Sequence, residues 1–283
     1  MTHTLTALKG HGTENDFVVL PDLDAQLSLS PSLVRALCDR HAGLGADGVL
    51  RVVRTALATE PDVRQQSGQA EFFMDYHNAD GSIAEMCGNG VRVFGWYLRQ
   101  AGLIDGTTTI ATRGGPKTLS FDGSNVSVQM GTASVRSERP SVRVAGLDGV
   151  FSSVAIDIPN PHVIVQLESV EQLSALDLTR PPTVEPGLPD GQNVEFVVRT
   201  GQQRIRMRVH ERGVGETRSC GTGICAAVVA TAGDLAGHDE WLVDVPGGQC
   251  RVSWRPDGEV VLSGPAVLMA KVEIGADWVA EHR

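Results

Sequence analysis

Lysine is almost missing from this chain. Of 24 basic residues, only Lys9, Lys117 and Lys271 are lysines, so a Schiff-base enzyme of the pyridoxal type has few places to anchor its cofactor. No basic tract occurs either, and 24 basic against 34 acidic residues leave a net charge of −10. Nucleic acids and anionic membranes both need a positive face, so neither is an expected partner. Long apolar runs are absent too. The longest stretch without Asp, Glu, Lys or Arg, residues 219–233, contains Gly221, Gly223 and Gly233 and is too short and too glycine-rich to span a bilayer. The segment MTHTLTALKGHGTENDF has no basic start followed by an apolar run, so it does not read as a secretory leader. Five cysteines are an odd number in a long chain, which argues against a disulfide framework and for a reducing cytoplasm. No P-loop, G-x-S-x-G or H-E-x-x-H pattern occurs. Cys220 and Cys225 have the wrong spacing for a zinc knuckle, and no metal is expected.

What is present is ordinary globular material: 283 residues, 41% hydrophobic, 20% charged, with 32 Gly and 14 Pro. At about 150 residues per domain this suggests two domains or one large one. Short β-rich runs dominate: FVVLP at 17–21, GVLRVV at 48–53, EFFMDY at 71–76, TTTIAT at 107–112, VIVQL at 163–167, VEFVV at 194–198, RIRMRVH at 204–210 and EVVLS at 259–263. RIRMRVH alternates and predicts a strand with one wet face. Ser30–Pro31 predicts a helix start, and two further helices are expected after MCGNG and SCGTG. TRPPTVEPGLPDG at 179–191 reads as a mobile surface loop. GLGADG at 43–48 fits G-x-G-x-x-G, but a helix precedes it and a strand follows, the reverse of a dinucleotide site, so it is read as a turn.

The chain also repeats itself. Asn78 and Glu211 each lie nine positions before a cysteine, Cys87 and Cys220, and each cysteine opens Cys-Gly-x-Gly ahead of a helix. Upstream, Asn15 and Asn160 each sit in a turn. Two matching half-sites predict a duplicated architecture. At a helix N-terminus the macrodipole and free N–H groups favour a thiolate, and the same groups hold carboxylates. Two such ends facing each other would grip one carboxylate, with a thiol on either side of the adjacent carbon. The competing reading is two buried structural cysteines, against which the polar glycine-rich flanks argue. Cys38, Cys225 and Cys250 read as core.

HGTENDF, NADGSIAEMCGNGVR, IPNPH, GQNVEF and ERGVGETRSCGTG together resemble the diaminopimelate epimerase family, in the family's order and over nearly the whole chain. The resemblance implies an α+β fold of two similar domains, each a curved, mostly antiparallel sheet around a central helix, with the active site in the interdomain cleft. The domains would cover 1–130 plus 267–283, including a returning C-terminal strand, and 131–266. It implies cofactor-independent interconversion of LL- and meso-diaminopimelate by two cysteines, in lysine and peptidoglycan precursor biosynthesis, by a cytoplasmic homodimer with a small-molecule substrate. Carried over residue by residue, Cys87 and Cys220 match the catalytic thiols. Gly88, Asn89, Gly221 and Thr222 match the backbone that holds the carboxylate. Asn15, Asn78, Asn160, Asn193 and Arg212 match substrate-binding positions, Glu211 binds and supports catalysis, and His162 matches a histidine at the site's edge. The chain departs from the family pattern at Glu14 (usually Gly), Pro159 (where GNPH is usual), Gln192 (commonly Thr) and Gly48, where many members carry a substrate-contacting Gln. Two alternatives stay open at this point: a proline-type racemase, which would not need Arg212 and several asparagines, and an amino-acid-binding protein with structural cysteines. Asn15, Asn78 and Asn160 taken singly would be ordinary turn residues.

Overall fold

A computed structural model describes residues 4–233 and 240–282; the first three residues of the amino-terminal segment read for a leader lie outside them. The chain divides into two compact units, Met1–Val128 with Pro265–Arg283, and Gln129–Gly264.

The first unit holds β1 (Leu5–Gly12), β2 (Asn15–Pro21), α1 (Pro31–Cys38), β3 (Gly48–Arg54), α2 (Pro61–Arg64), β4 (Phe72–Asn78), α3 (Gly88–Gln100), β5 (Thr108–Ile110) and β6 (Lys117–Asp122). After β7 (Asn125–Thr132) the second unit runs through β8 (Ser134–Val135), β9 (Ser141–Arg143), β10 (Phe151–Asp157), β11 (Pro161–Leu167), α4 (Val170–Ala175), β12 (Thr183–Glu185), β13 (Asn193–Gly201), β14 (Arg204–Glu211), β15 (Gly215–Thr217), α5 (Gly221–Ala232), β16 (Glu240–Val245), β17 (Gly248–Trp254) and β18 (Glu259–Pro265). The chain then re-enters the first unit with β19 (Val267–Ile274) and α6 (Ala276–Glu281).

The units are built alike. In the first, the sheet order is β19-β1-β2-β3-β4, antiparallel except for the parallel step from β2 to β3. In the second, β10–β11 and β13–β14 are antiparallel hairpin partners joined by the parallel pair β11–β13. Each unit therefore repeats hairpin, parallel step, hairpin, and each packs a helix against that sheet: α3 on β1, β2 and β3, α5 on β10, β11, β13 and β14. Both helices are buried around most of their circumference, ten of twelve residues in α5, as expected of a central helix rather than a surface one. α1 starts where the sequence places it, with Ser30 Oγ accepting from Leu33 N–H at 3.1 Å and Pro31 in the first turn. RIRMRVH is a strand with Ile205, Met207 and Val209 buried, and GLGADG joins α1 to β3. Cys38, Cys225 and Cys250 are buried.

Two local expectations need correction. The glycines of the two Cys-Gly-x-Gly segments belong to the first turns of α3 and α5 and do not precede them; a sulfur cap lets the helix begin at once. Segment 179–191 is not wholly a loop: Thr183–Glu185 pairs with Ser141–Arg143 as an edge strand, and Leu188 joins the core of its unit. Pro181, Pro182 and Pro186 lie outside the paired residues, and an edge strand tolerates such neighbours because only one side of its ladder is used.

Candidate active site

In the first unit the β1–β2 hairpin turns through two residues, Thr13 and Glu14, both at positive φ (50° and 60°). A two-residue hairpin of this hand demands left-handed backbone at both positions, which is why Glu14 replaces a residue that is usually glycine at some cost in strain. The turn delivers Asn15 to the start of β2. Its Nδ2–H donates to Asp47 Oδ2 at 2.7 Å, and its Oδ1 accepts from Asn89 Nδ2 at 3.2 Å and from the Cys87 thiol at 3.6 Å. Cys87 is the N-cap of α3, its sulfur accepting from Gly90 N–H at 3.4 Å. The fully buried Arg92 donates to Asn89 Oδ1 at 2.5 Å, Thr13 Oγ1 at 3.0 Å and Pro265 O at 3.0 Å. Asp47 in turn is held by Arg40 and by Asp16 N–H. Burial pushes the Asp47 carboxyl up; for Asp16 burial is outweighed by hydrogen bonds from Arg40 and Lys9, which hold it well below the usual carboxylate range.

The second unit repeats the sulfur cap. Cys220 is the N-cap of α5 and accepts from Gly223 N–H at 3.4 Å, with Thr222 Oγ1 at 3.5 Å and Asn193 Nδ2 at 3.9 Å. Thr217 Oγ1 donates to the Glu211 carboxylate, whose charge acts on the Cys220 sulfur. Asn193 Oδ1 accepts from Arg212 N–H at 2.9 Å. His162 Nδ1 meets Glu195 Oε1 at 2.7 Å, and its Nε2 lies 3.2 Å from Asn160 Oδ1. Burial, then the charges of Glu211 and Glu195, push the Cys220 thiol well up. Burial also raises Glu211, against the Thr217 hydroxyl.

The structure thus joins Asn15, Cys87, Gly88 and Asn89 in one unit, and Asn160, His162, Asn193, Glu211, Cys220, Gly221 and Thr222 in the other. Two predicted residues are engaged locally: Asn78 Nδ2–H donates to Ser82 Oγ at 3.0 Å, and the exposed Arg212 guanidinium donates to Asp190 O. Gly48 has no room for the usual glutamine, because a Cβ there would lie 2.6 Å from His77 O. Glu195, Thr217, Asp47 and Arg92 were not singled out from the sequence. Glu195 had a signal: one carboxylate inside VEFVV, a run buried on both faces.

A family model described as diaminopimelate epimerase matches residues 7–136 and 154–269. The chain belongs to the diaminopimelate epimerase family. Relatives named diaminopimelate epimerase include one from Streptomyces coelicolor, 47% identical and covering 99% of this chain and 98% of its own length. Another, from Mycolicibacterium smegmatis, is 47% identical over 95% of this chain and 97% of its own. Among solved structures, a hydroxyproline epimerase from Agrobacterium vitis with bound trans-4-hydroxy-L-proline aligns with TM-score 0.68 at 14% identity, over 96% of this chain and 93% of that one. A PhzF-family phenazine biosynthesis protein from Bacillus anthracis aligns with TM-score 0.65 at 16% identity, over 96% and 99%. These two share the fold, an α+β arrangement of two similar, mostly antiparallel domains; the diaminopimelate epimerase relatives share the family.

Proposed function

We propose that this protein interconverts LL- and meso-diaminopimelate without a cofactor, using Cys87 and Cys220 as paired acid and base. The observation that carries the reading is the duplicated sulfur cap: in each unit a cysteine accepts from the N–H three residues ahead, at the N-terminus of a central helix. The two half-sites would face one another across a cleft with the substrate's reacting carbon between the sulfurs. One thiolate takes the Cα proton while the other thiol gives up its own proton to the opposite face, so the reaction ends with thiol and thiolate exchanged. The helix-start N–H groups at Gly88–Asn89 and Gly221–Thr222 would hold the adjacent carboxylate, on which negative charge builds as the proton leaves. Arg212 would turn from Asp190 to fork onto the distal carboxylate, while carbonyl oxygens of Asn15, Asn78, Asn160 and Asn193 suit the ammonium groups. Glu211 and His162 would support the Cys220 side. Membership of the family supports this substrate, and with it a place in lysine and peptidoglycan precursor biosynthesis. We read the working protein as a cytoplasmic homodimer.

Purified, dialysed protein with chelator present should convert LL- to meso-diaminopimelate and, in deuterated water, place deuterium at the substrate Cα. A binding protein would bind and exchange nothing; activity restored only by pyridoxal phosphate or a metal would refute the reading.

A further inference from the structure

Comparing the units position by position isolates one side chain that the fold itself does not need. In each unit the residue two beyond the turn asparagine enters the parallel pairing: Phe17 opposite Gly48, His162 opposite Asn193. Two steps along the same register stand Leu50, opposite Val19, and Glu195, opposite Ile164. Phe17–Leu50 and His162–Glu195 therefore occupy equivalent places. Both lie beneath the third residue of the central helix. A Cβ on Gly90 would meet Leu50 Cδ2 at 3.3 Å and Phe17 Cζ at 3.5 Å, whereas one on Gly223 would overlap Glu195 Oε1.

The first unit fills this place with an apolar pair. The second fills it with two ionisable side chains, both wholly excluded from solvent and 2.7 Å apart, and leaves Glu195 Oε2 buried with no hydrogen-bond partner among the described residues. A buried carboxylate bonded to a histidine seldom outdoes well-packed apolar side chains of similar volume, and an unpaired buried acceptor is an added cost. The apolar solution is available on this very backbone, as Phe17 and Leu50 demonstrate.

We propose that Glu195 is a positioning residue of the reaction: it fixes the His162 ring with Nδ1–H in the carboxylate and Nε2 on the Asn160 side, and sets a fixed negative charge beneath the first turn of α5, beside Cys220. This rests on His162 and Cys220 being site residues. A carboxylate accepting from Nδ1–H fixes the ring plane and leaves Nε2 as the acceptor, which the Asn160 side chain meets once its amide turns Nδ2–H towards the ring. The groups facing Cys220 are Glu211 from β14, Glu195 and the Asn193 amide from β13, and the Thr222 hydroxyl and Gly223 N–H of α5, with His162 of β11 reaching it only through Glu195. Of these, the two carboxylates oppose a thiolate and the three donors favour it. Glu195 thereby helps to keep Cys220 as S–H, the form that supplies a proton.

Three variants of the full chain test this. Glu195→Gln keeps the shape and the Nδ1 acceptor but removes the charge; Glu195→Leu installs the first unit's residue; His162→Phe with Glu195→Leu installs its whole pair. The readouts are kcat and KM for diaminopimelate, the pH midpoint of Cys220 alkylation by iodoacetamide followed on its peptide, and the ¹⁵N shifts of the His162 ring. Glu195→Gln should lower the alkylation midpoint by about one pH unit and kcat by about tenfold, with KM little changed and a single Nδ1–H tautomer. Glu195→Leu should mix the tautomers and lower kcat by about a hundredfold. The double variant should fold with a thermal midpoint no lower than that of the parent protein. Unmoved alkylation midpoint and tautomer in folded Glu195→Gln and Glu195→Leu would overturn the proposal, even if activity fell. So would a double variant that melts far below the parent, since the pair would then be structural. If the parent protein fails to epimerise diaminopimelate, the functional reading falls, while the alkylation and tautomer measurements still decide this one.

Discussion

The two cysteines share a backbone setting and differ in almost everything around it. Cys87 is half-buried and donates to the Asn15 amide oxygen; Cys220 is buried in the field of the Glu211 carboxylate. Five residues on, the first unit has the buried cation Arg92 and the second the small, neutral Cys225, buried as deeply. Among the described residues Arg92 has no carboxylate partner, and its charge is spread over Asn89, Thr13 and a backbone carbonyl. The lesson is a division of labour between backbone and side chains. The Cys-Gly-x-Gly cap places a cysteine twice with little change, because it needs only a helix start and room for a close approach. The strand residues beneath then set the local charge. The proposed two-base reaction needs one thiol and one thiolate at a time, so two unlike surroundings for two like sulfurs suit it better than two identical ones.

Removal of either sulfur should have the largest effect on turnover. Cys87→Ser and Cys220→Ser should each lower epimerisation by about a thousandfold or more, because a serine hydroxyl titrates far above working pH and proton transfer by a well-placed group contributes up to about 10⁴-fold. Thermal melts should stay close to the parent's. If either variant keeps near-normal turnover, the two-thiol mechanism is wrong.

Next comes the third helical residue, glycine in both units for different reasons. Gly223→Ala should destabilise by about 2–3 kcal/mol, as overpacking does, because the new methyl overlaps the Glu195 carboxylate, which His162 holds in place. Gly90→Ala meets its nearest neighbours, Leu50, Cys87 and Phe17, no closer than 3.3 Å. It should cost less than about 1 kcal/mol, since alanine's helix propensity offsets part of the crowding. Urea melts giving equal losses would show that the two floors are not different.

A gentler probe leaves the sequence intact. At pH 8, iodoacetamide should label Cys87 about tenfold faster than Cys220, the thiolate being the nucleophile. Burial and the two carboxylates raise the Cys220 thiol, so its labelling rate should go on climbing above pH 9. Equal rates and equal pH dependence at the two peptides would remove the asymmetry. The smallest effect expected is from Arg212→Lys, which keeps the charge but loses the planar fork; KM for diaminopimelate should rise with kcat little affected. Unchanged KM would take Arg212 out of the site.

Much of the fold was legible because its signals are local. FVVLP, GVLRVV and RIRMRVH are strands whose pattern alone declares them, and Ser30–Pro31 opens a helix through chemistry confined to four residues. The half-sites were legible through repetition, Asn78 to Cys87 matching Glu211 to Cys220. What escaped is non-local. Glu195 looks like an interruption in VEFVV until His162, on the neighbouring strand, gives it a partner. Arg92 looks like the polar side of a helix until Asn89, Thr13 and Pro265 surround it. Thr183–Glu185 looks like loop because the strand it pairs with lies some forty residues away.

The pairing of β19 with β1, from Leu5 opposite Ile274 to His11 opposite Val267, carries a consequence for how the chain folds during synthesis. The second unit is one unbroken stretch and its sheet can close as soon as Gly264 has left the ribosome. The first unit, although made first, keeps β1 as a bare edge until Val267–Ile274 arrive, and loop closure over that distance must come before the contact rewards it. Throughout that interval β1 offers an unpaired row of N–H and C=O groups to any passing strand. The order of completion is therefore the reverse of the order of translation, and β1 is the segment a nascent-chain chaperone has most reason to cover.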